Sequence, residues 1–244
     1  MKVIYFFLIS FSIYSCQTPN AEDIINRSIS VSGGNKYETA NIQFKFREKS
    51  YQITGPNSER LMIRQSKSDG DTITDILSKQ QFQRYLNDSV VFVEDSMQYK
   101  FSESINSVFY FALLPFKLND TAVNKRLLGK TEIDNQTYYE IEVTFNKEGG
   151  GADFEDVYIY WINENSFKIE YLAYSFTVNG GGMRFRKAYN ERFVNGIRFV
   201  DYINYKPKNK VEKVKDLDGL FKENKLIELS KIELTEITVS SLNS

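Results

Sequence analysis

Histidine is absent from this 244-residue chain, cysteine and tryptophan occur once each, and there are only four prolines. Without histidine, the Ser-His-Asp and Cys-His forms of nucleophilic catalysis are excluded, together with the commonest zinc ligand. A lone cysteine excludes an intramolecular disulfide and a thiolate cluster for metal. Excess charge of either sign is missing as well. The 31 basic and 32 acidic residues leave a formal net charge of −1, so there is no overall basic footprint for nucleic acid. Carboxylate, lysine or tyrosine chemistry remains, or binding without catalysis. No cofactor or metal is expected.

Long apolar runs are also scarce. The one clear run, Val3–Ile13, follows Met1-Lys2 and is closed by Tyr14-Ser15-Cys16. It is too short to span a bilayer, which takes about 20 apolar residues, but it suits the core of a secretory signal, about 7–15 residues long. Ile13-Tyr14-Ser15-Cys16 resembles the lipobox of bacterial lipoproteins, in which the cysteine is acylated and becomes the first mature residue. Tyr14 is bulkier than the usual residue at its place. The alternative is an ordinary signal peptide with an incidental cysteine. On the lipobox reading, residues 1–15 are the signal, 16–20 a lipidated tether and 21–244 one β-rich domain. Gln17 follows the cysteine in place of the Asp that resembles an inner-membrane retention signal, so the expected address is the outer membrane, on either side of it.

What the chain has in abundance is aromatic residues, with 19 Phe and 16 Tyr making most of a 15% share. Asn20 is a candidate N-cap for a helix over 21–32, with Glu22 and Asp23 in the first turn and Gly33-Gly34 as the stop. Alternation then predicts strands over 42–46, 50–54, 60–65, 72–77, 81–86 and 90–93, joined by tight turns. Ile105, Val108, Phe109, Ala112 and Leu113 switch to helical spacing. Tyr110, Phe111 and Leu114 make this helix apolar nearly all round, and Pro115 ends it. A second short helix is expected at Asn119 or Asp120. Strands are expected to resume after Gly129, over 132–134, 138–145, 156–162, 167–178, 183–191, 197–205 and 227–239, with Asn195-Gly196 as the strongest hairpin signal. Lys206–Asp216 reads as a lysine-rich, solvated connector. The fold class is mainly β (α+β): a curved antiparallel sheet or open half-barrel with an N-terminal helix and a helical lid insertion.

Two glycine-rich stretches stand out. Glu148, Asp153, Glu155 and Asp156 surround the first triple glycine and would supply oxygens for a hard cation, but their spacing fits no known calcium loop. An acidic hairpin loop is the plainer reading. The second, Asn179–Gly182, precedes Arg184 and Arg186. It lacks the strand-to-helix setting of a phosphate loop, and either arginine is a candidate partner for the acidic loop. An aromatic-lined concavity that holds an acyl chain is the sharper reading of Phe109, Phe111, Leu113, Tyr158, Tyr160, Tyr171, Tyr174, Phe185 and Phe199. Core packing with cross-strand pairs is the plainer one.

Most of residues 21–207 resemble an uncharacterised family of Gram-negative outer-membrane lipoproteins whose fold is similar to LolA/LolB-type lipoprotein carriers. Gly33–Glu38, Phe44–Arg47, Asn106–Pro115, Glu148–Asp156, Tyr160–Asn163, Tyr171–Arg186 and Asn195–Phe199 carry the resemblance. It implies an open, curved antiparallel sheet with helices over an apolar concavity, and it assigns no catalytic residue. Its lipobox sets the chain apart from the soluble carrier. The expected function is therefore a lipid-anchored envelope protein, held at the membrane through Cys16, that binds an acyl chain or another lipoprotein. The alternatives are a structural or interaction subunit of an envelope complex with a protein partner, and a carboxylate-dependent enzyme acting on a glycan.

Overall fold

The computed structural model describes residues 19–242 apart from 57–58, 80, 149–153, 178–179, 210 and 212. The expected signal segment, Cys16 and Asp153 lie outside the described residues. The chain opens with helix α1 (Ala21–Ser32), which begins where its cap predicts. The Asn20 side chain accepts the Asp23 N–H at 2.9 Å and the Asp23 carboxylate accepts the Asn20 N–H, a reciprocal capping box. Gly33 ends the helix at φ 145°, where a side chain would meet the Tyr37 ring and the Gly196 carbonyl.

After the short turn α2 (Lys36–Thr39), six strands follow as hairpins: β1 (Ala40–Phe46), β2 (Lys49–Thr54), β3 (Leu61–Ser68), β4 (Asp71–Leu77), β5 (Phe82–Leu86) and β6 (Ser89–Val91). Helix α3 (Asp95–Ala112) and a 3-10 turn (Phe116–Asn119) interrupt them. The meander then resumes with β7 (Val123–Ile133), β8 (Gln136–Phe145), β9 (Tyr158–Asn163), β10 (Ile169–Phe176), β11 (Gly182–Val194) and β12 (Ile197–Pro207). A second 3-10 turn (Val214–Asp216), α4 (Leu217–Lys222), β13 (Leu226–Ile232) and β14 (Leu234–Ser241) complete the described chain.

The strands form two seven-stranded antiparallel sheets that do not close into a barrel. The first has the order β14-β1-β2-β3-β4-β5-β6 and the second β13-β12-β11-β10-β9-β8-β7. The single closing strand expected over 227–239 is corrected here. It breaks at Glu233, and its halves pair with different sheets, β13 with β12 and β14 with β1. Buried Asp201 holds the break: its Oδ1 accepts the Leu234 N–H and an Arg192 N–H, both at 2.9 Å, while Arg192 also donates to the Leu234 carbonyl. Backbone groups that change sheets are thereby satisfied by side chains.

Three further expectations change. Gly129 does not precede the resumed strands but lies inside β7 as a bulge, with φ 148° and a register shift against β8. The second short helix becomes the 3-10 turn that ends at Asn119. The lysine-rich connector carries buried Val214, which together with Leu217 and Phe221 of α4 covers the outer face of the second sheet. All six residues of β9 are buried as a result, because both faces of that strand are packed.

Helix α3 explains its own composition. Ile105, Phe109 and Leu113, four residues apart, join the core against the first sheet. Tyr110, Phe111 and Leu114 join the core of the second sheet. A helix that meets two sheets through its C-terminal half has to be apolar on two sides there, whereas its first turns, Asp95–Lys100, are largely exposed.

Candidate functional site

α3 is fastened to the first sheet by ions. Asp75 on β4 accepts from Arg64 on β3 at 2.6 and 3.0 Å and from Arg84 on β5 at 2.6 and 3.1 Å. Arg64 then donates from Nη1 to Ser104 on α3 at 3.0 Å, and the Arg84 guanidinium lies 3.8 Å from the Phe101 ring centre. Both buried charges are thus paired and hydrogen-bonded, as burial demands. On its other side α3 meets the second sheet through a phenol pair, Tyr110 and Tyr160, with 2.5 Å between their oxygens. Burial raises both phenols well above the ordinary tyrosine range.

A cleft of about 320 Å3 opens where α3 spans the two sheets. Ile53 and Met62 form the first-sheet wall, Phe109 to Phe111 and Leu113 the helix wall, and Val123, Phe145 and Tyr158 the second-sheet wall. Glu103, Asn106, Ser107, Lys117 and Asp120 are polar members of the lining, with Lys117 and Asp120 paired at 3.3 Å. The volume falls at the small end of ligand pockets, and an apolar lining with a few polar groups is their usual composition. The arrangement suits the desolvation of a hydrocarbon chain. Each buried methylene contributes about 0.8 kcal/mol.

Four of the nine residues proposed from the sequence line this cleft: Phe109, Phe111, Leu113 and Tyr158. Tyr174 and Tyr160 stand behind them and stack on Tyr158 with centroid distances of 5.3 and 6.2 Å. Phe199 is fully packed in the first-sheet core. Tyr171 and Phe185 lie on the outer face of the second sheet with Trp161 and Phe221, away from the cleft. Strand alternation carried this information: Tyr171 and Tyr174 are three residues apart and must face opposite sides, and Phe185 pairs with Ala173, on the side of Tyr171. Ile53, Met62, Val123 and Phe145 were not anticipated. Two of them sit on strands whose lining role depends on α3 crossing between the sheets, and Val123 opens the half of β7 that Gly129 concealed.

The second glycine-rich stretch also resolves. Arg184 donates to the Met183 carbonyl and packs over Phe176. Arg186 donates from Nη2 to Tyr174 at 2.8 Å and lies over Phe111. Among the described residues no group of three or more Asp, Glu or Cys side chains is placed to hold a metal ion, and no helix is long and apolar enough to cross a membrane.

Solved structures similar to this chain share its fold at low identity. A LolA superfamily protein from Nitrosomonas europaea is 9% identical, with 92% of this chain and 93% of that one covered and a TM-score of 0.49. A DUF1329 family protein from Desulfovibrio piger is 10% identical, with 91% and 93% covered and a TM-score of 0.40. The lipoprotein LppX of Mycobacterium tuberculosis is 12% identical, with 66% and 88% covered and a TM-score of 0.29. Among curated proteins none matches. A family model described as a family of unknown function (DUF6503) matches residues 2–234.

Proposed function

This chain belongs to DUF6503, a family of unknown function, and on the geometry of the cleft we propose that it is a lipid-anchored envelope protein that holds a hydrophobic ligand between α3 and the two sheets. The observation that carries the reading is the junction itself. Phe109, Phe111 and Leu113 from the helix and Tyr158 from β9 converge on one apolar cleft of about 320 Å3, and the charged residues of its lining come from α3 and the turn after it. The ligand is an acyl chain or the acyl anchor of another lipoprotein, and the role is binding without catalysis. The sequence supports the anchor: Val3–Ile13 with Ser15-Cys16 reads as a signal and lipidation site ahead of α1, and Gln17 after the cysteine favours the outer membrane.

The experiment uses the full-length chain with Cys16→Ala, which cannot be acylated. Organic extraction and mass spectrometry of the purified protein are expected to recover bound lipid, and a fluorescent fatty acid is expected to displace it. Recovery of no lipid together with no fatty-acid binding overturns the reading.

A structural or interaction subunit is the second reading, and one observation favours it. Val90, Phe92 and Tyr99 are 64%, 82% and 55% exposed beside β6, the open edge of the first sheet. Co-purification of a stable membrane-protein partner, lost on Phe92→Glu, is the outcome that selects it.

A further inference from the structure

A second, smaller cavity lies on the other flank of α3. Its volume is about 100 Å3, and it sits over the step between the sheets, lined by Phe46 and its ladder partner Leu234 from the first sheet and by Ile232 from the second. Ser107 and Phe111, one helical turn apart, line both this cavity and the larger cleft. Phe111 therefore borders both cavities.

The only charged side chain in the lining of the smaller cavity is Arg186. It is 8% exposed, and its guanidinium carbon is 3.9 Å from the Phe111 ring centre and 5.1 Å from that of Tyr174. Nη2 donates to the Tyr174 hydroxyl, but Nε and Nη1 are buried and donate to nothing among the described residues. Asn204, directly across the β11–β12 ladder, turns its amide nitrogen toward Ser230 at 3.5 Å, and its Oδ1 accepts no bond. Asp201, the buried carboxylate of β12, is committed to Arg192, Asn190 and the Leu234 N–H. The other buried arginines differ: Arg64 and Arg198 each meet a carboxylate. A buried guanidinium with unmet donors is costly unless something anionic arrives to meet them. Aromatic faces stabilise such a cation but satisfy no N–H in its plane.

We infer that the ligand is a single-chain amphiphile with an anionic head, carboxylate or phosphate, which Arg186 binds through Nε and Nη1 while the chain lies in the apolar cleft beyond Phe111. This rests on the hydrophobic-ligand reading and adds the chemistry of the head. Charge-assisted bonds from a guanidinium in a dry site are the stronger class of hydrogen bond, so the head should dominate selectivity among chains of equal length.

The test is calorimetric titration of the full-length Cys16→Ala chain with dodecanoate, dodecyl phosphate and dodecanol, each below its aggregation limit. At least one anionic ligand is expected to bind tenfold or more tightly than dodecanol, and the tighter of the two identifies the head. Arg186→Met, which keeps the stem and removes the charge, is expected to cut that preference to less than twofold, and a preference that survives it overturns the assignment to Arg186. Equal binding of all three ligands by the parent chain overturns the inference and preserves the hydrophobic-ligand reading. Failure of all three to bind overturns both. The comparison within the parent chain decides the matter even where Arg186→Met does not fold.

Discussion

Replacing Asp75 by alanine removes the one acceptor shared by two arginines under α3. The Asp75 side chain is 2% exposed, that of Arg64 6% and that of Arg84 20%. Arg84 has a route to water once its partner is gone; Arg64 has almost none. Breaking a buried pair from one side costs about 3–5 kcal/mol, because the other charge stays buried and unpaired. In a domain of this size each kcal/mol lowers Tm by about 2–4 °C, so Asp75→Ala is expected to melt roughly 6–20 °C below its parent. Arg64→Met/Asp75→Leu removes both buried charges and is expected to recover most of the loss, since apolar replacement of a buried pair is often neutral or better. Scanning calorimetry and urea titration of the Cys16→Ala chain measure both variants. If Asp75→Ala lies within about 1 kcal/mol of the parent, Arg64 finds water or another partner, and the ionic fastening of α3 to the first sheet is refuted. The same lesion loosens Ser104, so hydrogen exchange should speed up in α3 before it does in β9.

Further outcomes follow from the site and from the sheet junction. Val123→Trp fills the mouth of the larger cleft and is expected to weaken dodecanol binding at least tenfold without a matching fall in Tm. Tyr160→Phe strands the buried Tyr110 hydroxyl and is expected to cost about 1–3 kcal/mol by urea titration, whereas Tyr110→Phe/Tyr160→Phe should lie closer to the parent. Asp201→Ala leaves the Leu234 N–H without its acceptor and Arg192 without its carboxylate, and amide exchange at Leu234 is expected to accelerate more than at Ile203. Glu191 has a carboxyl that burial pushes up but Lys168 and Arg198 pull down further, to a net value below the ordinary range. A depressed folded-state value means stability that is present in full above about pH 4.3 and lost as pH falls through the folded-state value. Glu191→Gln is therefore expected to flatten the acid limb of a stability–pH curve below about pH 4.3, and an unchanged limb would count against the pairing.

Local chemistry was readable from the residues, and long-range placement was not. The start of α1 needed only Asn20 and Asp23, and the β11–β12 turn only Asn195 and Gly196, both at positive φ as the primed turn requires. The early start of α3 was within reach, since Phe101 extends the stripe of Ile105 and Phe109 by one turn. Gly129 misled because a glycine that ends a strand and one that bulges within it look alike in one dimension. The break at Glu233 could not be read from alternation, because Ile232 and Leu234 keep period two while their strands join different sheets. In the site, the mistaken grouping of Tyr171 and Phe185 with Tyr174 was avoidable by counting parity. The unmet donors of Arg186 were invisible until β10, β12 and α3 were placed around it.

The step at Glu233 also sets an order of events. β1 is the first strand of the described chain to be synthesised, yet its outer neighbour is β14, the last strand of the described chain. Until β14 arrives, β1 presents a bare ladder edge of the kind that invites pairing with other chains. Every other neighbouring pair in either sheet is consecutive in sequence and can zip as it emerges. Completion of the first sheet is therefore a late check on the described chain, and a chain cut short before Leu234 would keep β1 exposed.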